Sequence, residues 1–327
     1  MPSLGSIPRA GSLPILLLIF NRPDPTSRVL EAIRGYRPAR LYIAADGPRE
    51  SRPDEQVSTE TTRNLVLAGV DWPCDVKTLF RSENLGVKKA VGGAIDWFFE
   101  NEEEGVILED DCLPDKSFFP YCETLLDRYR ENDQVMHIGG DCYLVNRPEQ
   151  QSYFFSKYPH IWGWATWRDS WRMFATTNDN FQADFQSFEE IFSTPEEADH
   201  WRRLYQDYFN GKYDSWAYGW TFTVWREHGL AVYPTANLVK NIGFADDAVH
   251  TKRWRDYRGL RNAPLESIGE LNHPQIIEMD RELDSQNFDV FFRKPGFFKL
   301  AWKVALTVLS TFVESLKGMK PDRQKTP

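Results

Sequence analysis

The sequence has few cysteines, no long hydrophobic run and no excess of positive charge. Its four cysteines form no C-x-x-C pair and are too sparse for a disulfide framework, which predicts a reduced, cytoplasmic protein. No apolar run approaches the length of a transmembrane helix. The formal net charge of −9 argues against a nucleic-acid partner, because such a partner requires a basic surface.

The apolar segment 13–20 has the length of a signal-peptide core. It is followed by Asn21-Arg22-Pro23 rather than by a small-residue cleavage site, so we interpret it as a buried strand. The sequence also shows no internal repeat and no clear linker. We therefore predict one continuous domain at residues 13–255, followed by a C-terminal extension at residues 256–327.

Apolar runs alternate with helical segments through the first third of the chain. The predicted strands are 15–20, 40–45, 75–81 and 105–108, and the predicted helices between them are 26–36, 59–69 and 88–100. Repeated strand–helix units predict an α/β fold with a mostly parallel, Rossmann-like sheet flanked by helices, and with ligands at the carboxyl ends of the strands. Further along, we predict helices at 118–131, 166–174, 195–210 and 216–228, and strands at 135–138 and 231–234.

Three consecutive carboxylates, Glu109-Asp110-Asp111, end the apolar run that begins at Gly105. Adjacent like charges repel one another unless a cation or water compensates them. A hard divalent ion takes oxygen ligands and commonly bridges one or two carboxylates to substrate phosphates. The cluster therefore favours a metal-assisted enzyme acting on a phosphorylated substrate, and a solvated acidic turn is the alternative.

Polar residues also follow the other predicted strands, at Asn21, Asp46 and Asn84. The carboxyl ends of parallel strands lie at one edge of a sheet, so we expect these loops to converge with the acidic cluster. Asn21 and the Asp46-Gly47 pair are also typical of simple turns, and that alternative stays open.

An ordered set of segments resembles the nucleotide-sugar glycosyltransferases of the GT-A fold. They are PILLLIFNRP at 14–23, Asp46-Gly47, SENLG at 82–86 and the triplet at 109–111; residues 160–168 and 241–244, leading to His250, fit as well. The chain is most similar to bacterial sugar-transferase-like proteins, some labelled hemolytic protein, that are related to the N-acetylglucosaminyltransferase I family. The resemblance spans residues 13–251.

The resemblance implies a nucleoside-diphosphate sugar as donor and a divalent ion, manganese or magnesium, held by the last aspartate of the triplet, Asp111. It places Glu109 and Asp110 nearer the ribose or the sugar. Such an ion can neutralise the charge that develops on a departing diphosphate. The other implied donor-binding residues are Phe20, Asn21 and Arg22 around the base and ribose, Asp46 at the base edge, and Asn84.

Three of the candidate residues have open alternatives. Lys88 opens a predicted helix, where it would face a phosphate or belong to a solvated surface. Arg22 would contact a phosphate or merely cover its loop. His250 would complete the metal shell or touch the diphosphate, because a neutral imidazole is a ready ligand, although a lone histidine is also commonly structural.

Asp214 is the candidate general base if the reaction inverts the anomeric centre. It matches an acidic residue that the resembling family carries before an aromatic position, and apolar neighbours would suit it to accept a proton. The alternative is an N-cap for a helix beginning at Trp216. Asp246 and Asp247 are rival candidates for the base.

The C-terminal segment is basic, with eight basic and two acidic residues from Arg293 onward. Apolar residues at helical spacing in 296–317 predict an amphipathic helix. It would lie on the inner face of a membrane or dock on the main domain.

The sequence thus predicts a metal-dependent glycosyltransferase of polysaccharide biosynthesis, with a glycan or lipid-linked acceptor and Asp214 as an inverting base. A sugar-nucleotide pyrophosphorylase is the second hypothesis, but that class needs a glycine-rich basic loop after its first strand. A non-catalytic carbohydrate-binding protein on a transferase fold is the third.

Overall fold

The computed structural model of the protein describes residues 11–144, 147–148, 150–175, 180–243 and 263–293. The chain divides into two compact units at Asn287 and Phe288, and only residues 288–293 of the second unit are described. The predicted domain boundary at 255 and the predicted helix at 296–317 lie outside the described residues, so both remain predictions.

Ten strands are present in the described residues. They are β1 (Ile15–Ile19), β2 (Arg40–Ala45), β3 (Asp75–Phe80), β4 (Glu104–Glu109), β5 (Cys112–Pro114), β6 (Val135–Gly139), β7 (Tyr153–Ser156), β8 (Trp164–Trp167), β9 (Leu230–Pro234) and β10 (Val239–Asn241). Eight of them form a mixed sheet in the order β3-β2-β1-β4-β8-β6-β9-β7, and β5 and β10 form a separate antiparallel pair.

Nine α-helices accompany the strands in the same part of the chain. They are α1 (Pro23–Tyr36), α2 (Glu55–Gly69), α3 (Val87–Asn101), α4 (Phe118–Tyr129), α5 (Arg168–Trp171), α6 (Phe181–Phe188), α7 (Pro195–Phe209), α8 (Ala217–Arg226) and α9 (Arg281–Phe291). Helices α3 and α4 pack against the sheet. This confirms the predicted α/β class with its Rossmann-like, mostly parallel sheet flanked by helices. No described helix has both the length and the apolar character needed to span a bilayer.

The four strands of the first third run parallel, and β1 lies at their centre. β1 pairs with β2 on one side and with β4 on the other, in a register that sets Leu18 beside Glu109. Every residue of β1 is buried. β6 is antiparallel to β8, which is antiparallel to β4, so β6 runs in the same direction as β4. The carboxyl ends of β1, β2, β3, β4 and β6 therefore share one edge of the sheet.

Local predictions differ from the structure at several elements. Segment 166–174 is predicted to be helical, but Thr166 and Trp167 lie in β8 and only a short helix follows. Helix α2 begins at Glu55 rather than at residue 59. β8 is inserted between β4 and β6 and all four of its residues are buried, so it shows no period of two. Helix α1 begins at Pro23 rather than at Thr26, because proline is preorganised for the first helical position.

His137 is a buried, neutral histidine of β6. Trp220 Nε1 donates to its Nδ1 at 3.1 Å, so the ring carries its proton on Nε2, 2.8 Å from the carbonyl oxygen of His160. Its ring also stacks on Trp164, with 4.9 Å between the ring centroids. Burial lowers the pKa of His137 from 6.5 to about 3.

We expect His137 to make the fold sensitive to acid. His137 binds a proton near pH 6.5 in the unfolded chain but only near pH 3 in the folded chain. The free energy of unfolding therefore falls as the pH drops below 6.5. Relative to the variant His137→Gln, the wild type should lose roughly 2 kcal/mol more between pH 7.5 and pH 5. Urea unfolding of both proteins at the two pH values measures this difference. Equal losses in the two proteins would contradict it.

Candidate functional site

The candidate site is built from the loops that follow the parallel strands. Only residues 20–22 separate β1 from α1, and Asp46 follows β2 directly. Residues 81–86 connect β3 to α3, and Asp110 and Asp111 follow β4. The predicted convergence of these loops at one edge is therefore observed.

Arg22 forms the electrostatic centre of this edge. Its Nη2 donates to Asp111 Oδ2 at 2.9 Å and also to Asp110, and its Nε lies 3.3 Å from Asp110 Oδ2. The side chains of Asp110 and Asp111 are 5% and 14% exposed, so these ion pairs are largely shielded from water. The sequence did not predict this contact, which instead follows from the pairing of β1 with β4.

Burial and mutual repulsion disfavour three charges on the triplet. Burial raises the pKa of Glu109, and the neighbouring Asp111 and Asp110 raise it further. Burial also raises the pKa of Asp110, against the opposing effect of Arg22. Burial by itself would lower the pKa of Arg22, but the two aspartates raise it, so the guanidinium stays charged. One internal cation therefore faces more negative charge than it can neutralise.

β10 and the two residues after it cover the acidic cluster, although they come much later in the sequence. β10 pairs with β5, and the N–H of Ile242 donates to the carbonyl oxygen of Asp111 at 2.8 Å. A Cβ atom at Gly243 would lie 2.1 Å from Asp111 Oδ2 and 3.0 Å from Arg22 Nη1. A side chain at this position would collide with the Asp111 carboxylate unless that carboxylate moved.

Asp46 and Asn84 hold two loops of the edge together. The Asp46 carboxylate accepts the backbone N–H of Leu85 at 3.0 Å and of Gly86 at 3.2 Å. Asn84 Nδ2 donates to the carbonyl oxygen of Gly47 at 2.8 Å. Both side chains therefore shape the loops, and their expected contacts with a donor remain predictions.

Asp214 lies against the start of α3, although it is 127 residues from Val87 in the sequence. Its Oδ2 and Oδ1 accept the backbone N–H groups of Val87 and Lys88, each at 3.0 Å. It thus caps α3, not the helix after Trp216, and the contact brings it to the candidate site. The residue is exposed, so the apolar surroundings expected for a base are not observed.

Lys88 and Phe20 have their own partners at this edge. The Nζ of Lys88 lies 4.4 Å from the ring centroid of Tyr208, and burial lowers the pKa of Lys88. The guanidinium of Arg49 lies 5.6 Å from the ring centroid of Phe20. Neither open alternative for Lys88 describes this cation–π contact.

A buried Asp141–His160 pair at the same edge was missed. Asp141 follows the end of β6, and its Oδ2 lies 2.9 Å from Nδ1 of His160. Asp141 is fully buried, and its Oδ1 has no hydrogen-bond partner in the part of the chain that the structure describes. The available signal was a polar residue shortly after a predicted strand, separated from it by Gly139 and Gly140, whereas Asp46 follows its strand directly.

The carboxylates of this edge supply at most part of the ligand set of a divalent ion. The described residues contain no group of three or more His, Cys, Asp and Glu side chains arranged around a metal position. Magnesium, however, is typically held by one or two carboxylates together with substrate phosphates, so Asp111 can serve as such a ligand. His250, Asp246 and Asp247 lie outside the described residues, so their expected roles remain predictions.

No protein-family model matches the chain, and no curated protein sequence matches it. Several solved structures are partly similar. A UDP-glucose pyrophosphorylase complexed with UDP-glucose has a TM-score of 0.37 and 9% identity, over 70% of this chain and 93% of its own. A cytidylyltransferase from Leptospira borgpetersenii has a TM-score of 0.31 and 11% identity, over 62% and 73% of the two chains. A 4-diphosphocytidyl-2C-methyl-D-erythritol synthase from Anaerococcus prevotii has a TM-score of 0.28 and 6% identity, over 60% of this chain and 85% of its own. This similarity concerns the α/β architecture alone.

Proposed function

We propose that the protein is a metal-dependent glycosyltransferase that moves a sugar from a nucleoside diphosphate to a glycan or lipid-linked acceptor. The observation that carries the proposal is the meeting of Arg22, Asp110 and Asp111 at the carboxyl edge of the parallel strands. This is the position at which open α/β sheets bind ligands. Asp46 and Asp214 reach the same edge through the loop before α3.

In this proposal each group at the edge has a separate task. Arg22, next to the amino end of α1, supplies positive charge for the donor phosphates. Asp111 would hold the divalent ion, which when bound neutralises charge on the departing diphosphate. The exposed carboxylate of Asp214 takes the proton from the acceptor hydroxyl as its oxygen attacks the anomeric carbon opposite the departing nucleoside diphosphate. The bond from that carbon to the diphosphate breaks in the same displacement, so the carbon is inverted.

The second candidate is transfer of a nucleotidyl group, as in a sugar-nucleotide pyrophosphorylase. The names of the similar structures agree better with this alternative than with glycosyl transfer. A pyrophosphorylase, however, requires a glycine-rich basic loop after its first strand. Here residues 20–22 form the whole connection between β1 and α1 and include no glycine, which favours glycosyl transfer.

A panel of nucleoside-diphosphate sugars, assayed with and without manganese, tests the proposal. We expect one donor to bind and to release its nucleoside diphosphate, with sugar passed to an acceptor or to water. The variant Asp111→Asn should reduce this turnover at least about a hundredfold, because bound metal supplies several kcal/mol of charge stabilisation.

The matched control is Glu103→Gln, which removes an exposed carboxylate just before the other end of β4 and should leave turnover unchanged. Consumption of pyrophosphate with release of a nucleoside triphosphate and a sugar 1-phosphate would instead establish the pyrophosphorylase. Failure of the wild type to bind any donor would overturn both enzymes and favour the carbohydrate-binding protein.

A further inference from the structure

We propose that Arg22 is an internal cation that competes with the divalent ion for Asp111, so that metal and diphosphate bind cooperatively. The inference rests on the proposed function, since it concerns the same donor site. It assigns Arg22 a second role: this residue keeps the ion away until the phosphates arrive.

The two oxygens of Asp111 face different surroundings. Oδ1 lies 3.7 Å from the Sγ of Cys112, a fully buried residue. Oδ2 accepts from Arg22 and lies against Gly243, where even a Cβ atom would stand only 2.1 Å away. An ion that binds Oδ2 must therefore approach on the side that the guanidinium occupies.

The guanidinium and a divalent ion cannot share this oxygen without strong repulsion. The Nη2 of Arg22 lies 2.9 Å from Oδ2. A magnesium ion would bind the same oxygen at about 2.0–2.1 Å. Two positive centres would then stand only a few ångströms apart in a largely shielded site, where charges interact more strongly than in water. Metal binding to Asp111 therefore requires Arg22 to move away from it.

Arg22 has somewhere to go when a diphosphate is present. Its Nη1 makes no hydrogen bond to any residue that the structure describes, and its Nε remains beside Asp110 at 3.3 Å. A guanidinium with free N–H groups binds phosphate oxygens in a fork geometry. A diphosphate would thus draw Arg22 from Asp111 and ligate the ion that replaces it. The two ligands favour each other, and the coupling is reciprocal.

Equilibrium dialysis tests this idea without a nucleotide or an acceptor. It measures the total manganese that the full-length protein binds. The probes are Mn²⁺ alone and the preformed Mn²⁺–pyrophosphate complex, which carries the diphosphate without a base. We expect the wild type to bind the complex roughly tenfold or more tighter than the bare ion, within the usual range of such couplings.

The variant Arg22→Met should shift the two affinities in opposite directions, binding bare Mn²⁺ more tightly and the complex more weakly. Arg22→Lys keeps a positive charge beside the buried Asp110 but cannot bind two carboxylates in a fork. It should therefore also bind bare Mn²⁺ more tightly and the complex more weakly, and it replaces Arg22→Met if that variant does not fold. Arg34→Met is the matched control, because Arg34 also pairs with two carboxylates, Asp71 and Glu31, but at the exposed end of α1. Its affinities should equal those of the wild type.

The outcomes separate this inference from the proposed function. Unchanged or weaker binding of bare Mn²⁺ by both Arg22 variants, with binding lost in Asp111→Asn, would overturn the competition and leave the metal site standing. Absence of manganese binding in every protein, with either probe, would overturn the metal-dependent function and the competition together.

Discussion

Replacing Asp214 with asparagine is expected to lower donor turnover by about 10²–10⁴-fold, the usual contribution of a general base. The reason lies in the two tasks that the structure and the proposal give to this side chain. Its carboxylate caps α3 through the N–H groups of Val87 and Lys88, and it is proposed to accept a proton. The single oxygen of asparagine still accepts one of these two backbone N–H groups, but the amide cannot take a proton at neutral pH.

The measurement compares turnover, donor binding and thermal unfolding of the same variant. Donor binding by Asp214→Asn should stay close to that of the wild type, and its melting temperature should fall less than that of Asp214→Ala, because half of the cap remains. Asp214→Ala removes both tasks, and loss of the cap should cost about 0.5–2 kcal/mol of stability in addition. Full turnover by Asp214→Asn would show that the carboxylate only caps α3, and the base would then have to be sought elsewhere on this edge.

Glu197→Gln is expected to destabilise the fold by about 3–5 kcal/mol, because it removes the carboxylate that is paired with a buried ammonium. Lys157 Nζ lies 2.9 Å from Glu197 Oε1, and the two side chains are 1% and 2% exposed. Glu197 also accepts the hydroxyl of Tyr158 and, through Oε2, the N–H of Ser193 at 2.8 Å. The pair joins the end of β7 to α7.

Urea unfolding measures this loss as a lower midpoint of denaturation. The double variant Lys157→Met/Glu197→Leu removes both charges and should recover most of the stability, because apolar replacements of a buried ion pair are often neutral or stabilising. The single substitution Lys212→Met, which breaks the exposed pair with Asp207, should change stability by less than about 1 kcal/mol. If Glu197→Gln also lost less than about 1 kcal/mol of stability, burial would not be what makes the Lys157–Glu197 pair important.

The parallel half of the fold could be predicted because its signals are local. The apolar runs of β1, β2 and β4 end at polar residues, and the rule for parallel strands brings those ends together. The acidic triplet was proposed as the centre of the candidate site from its position after a predicted strand and from the family resemblance. Its partner Arg22 was already a candidate, but the ion pairs depend on β1 and β4 being neighbours.

The parts that escaped prediction depend on distant contacts. Asp214 caps a helix that begins at Val87, and no local pattern links the two segments. Trp164 and Trp167 lie in a strand buried on both faces, where tertiary packing overrides the helical spacing of the tryptophans. Asp141 lies in the connection between β6 and β7, and His160 lies in the connection between β7 and β8. The two meet because β8 pairs with β6 in the antiparallel direction.

The closing of the acidic site by Gly243 has a consequence for the order of events during synthesis. Asp111 leaves the ribosome long before Gly243, and β5 has no partner until β10 has been made. The parallel strands can therefore assemble while their acidic edge is still open on the side that β10 will cover. The edge that we propose as the donor site is therefore completed late, after the four parallel strands of the first third have been made.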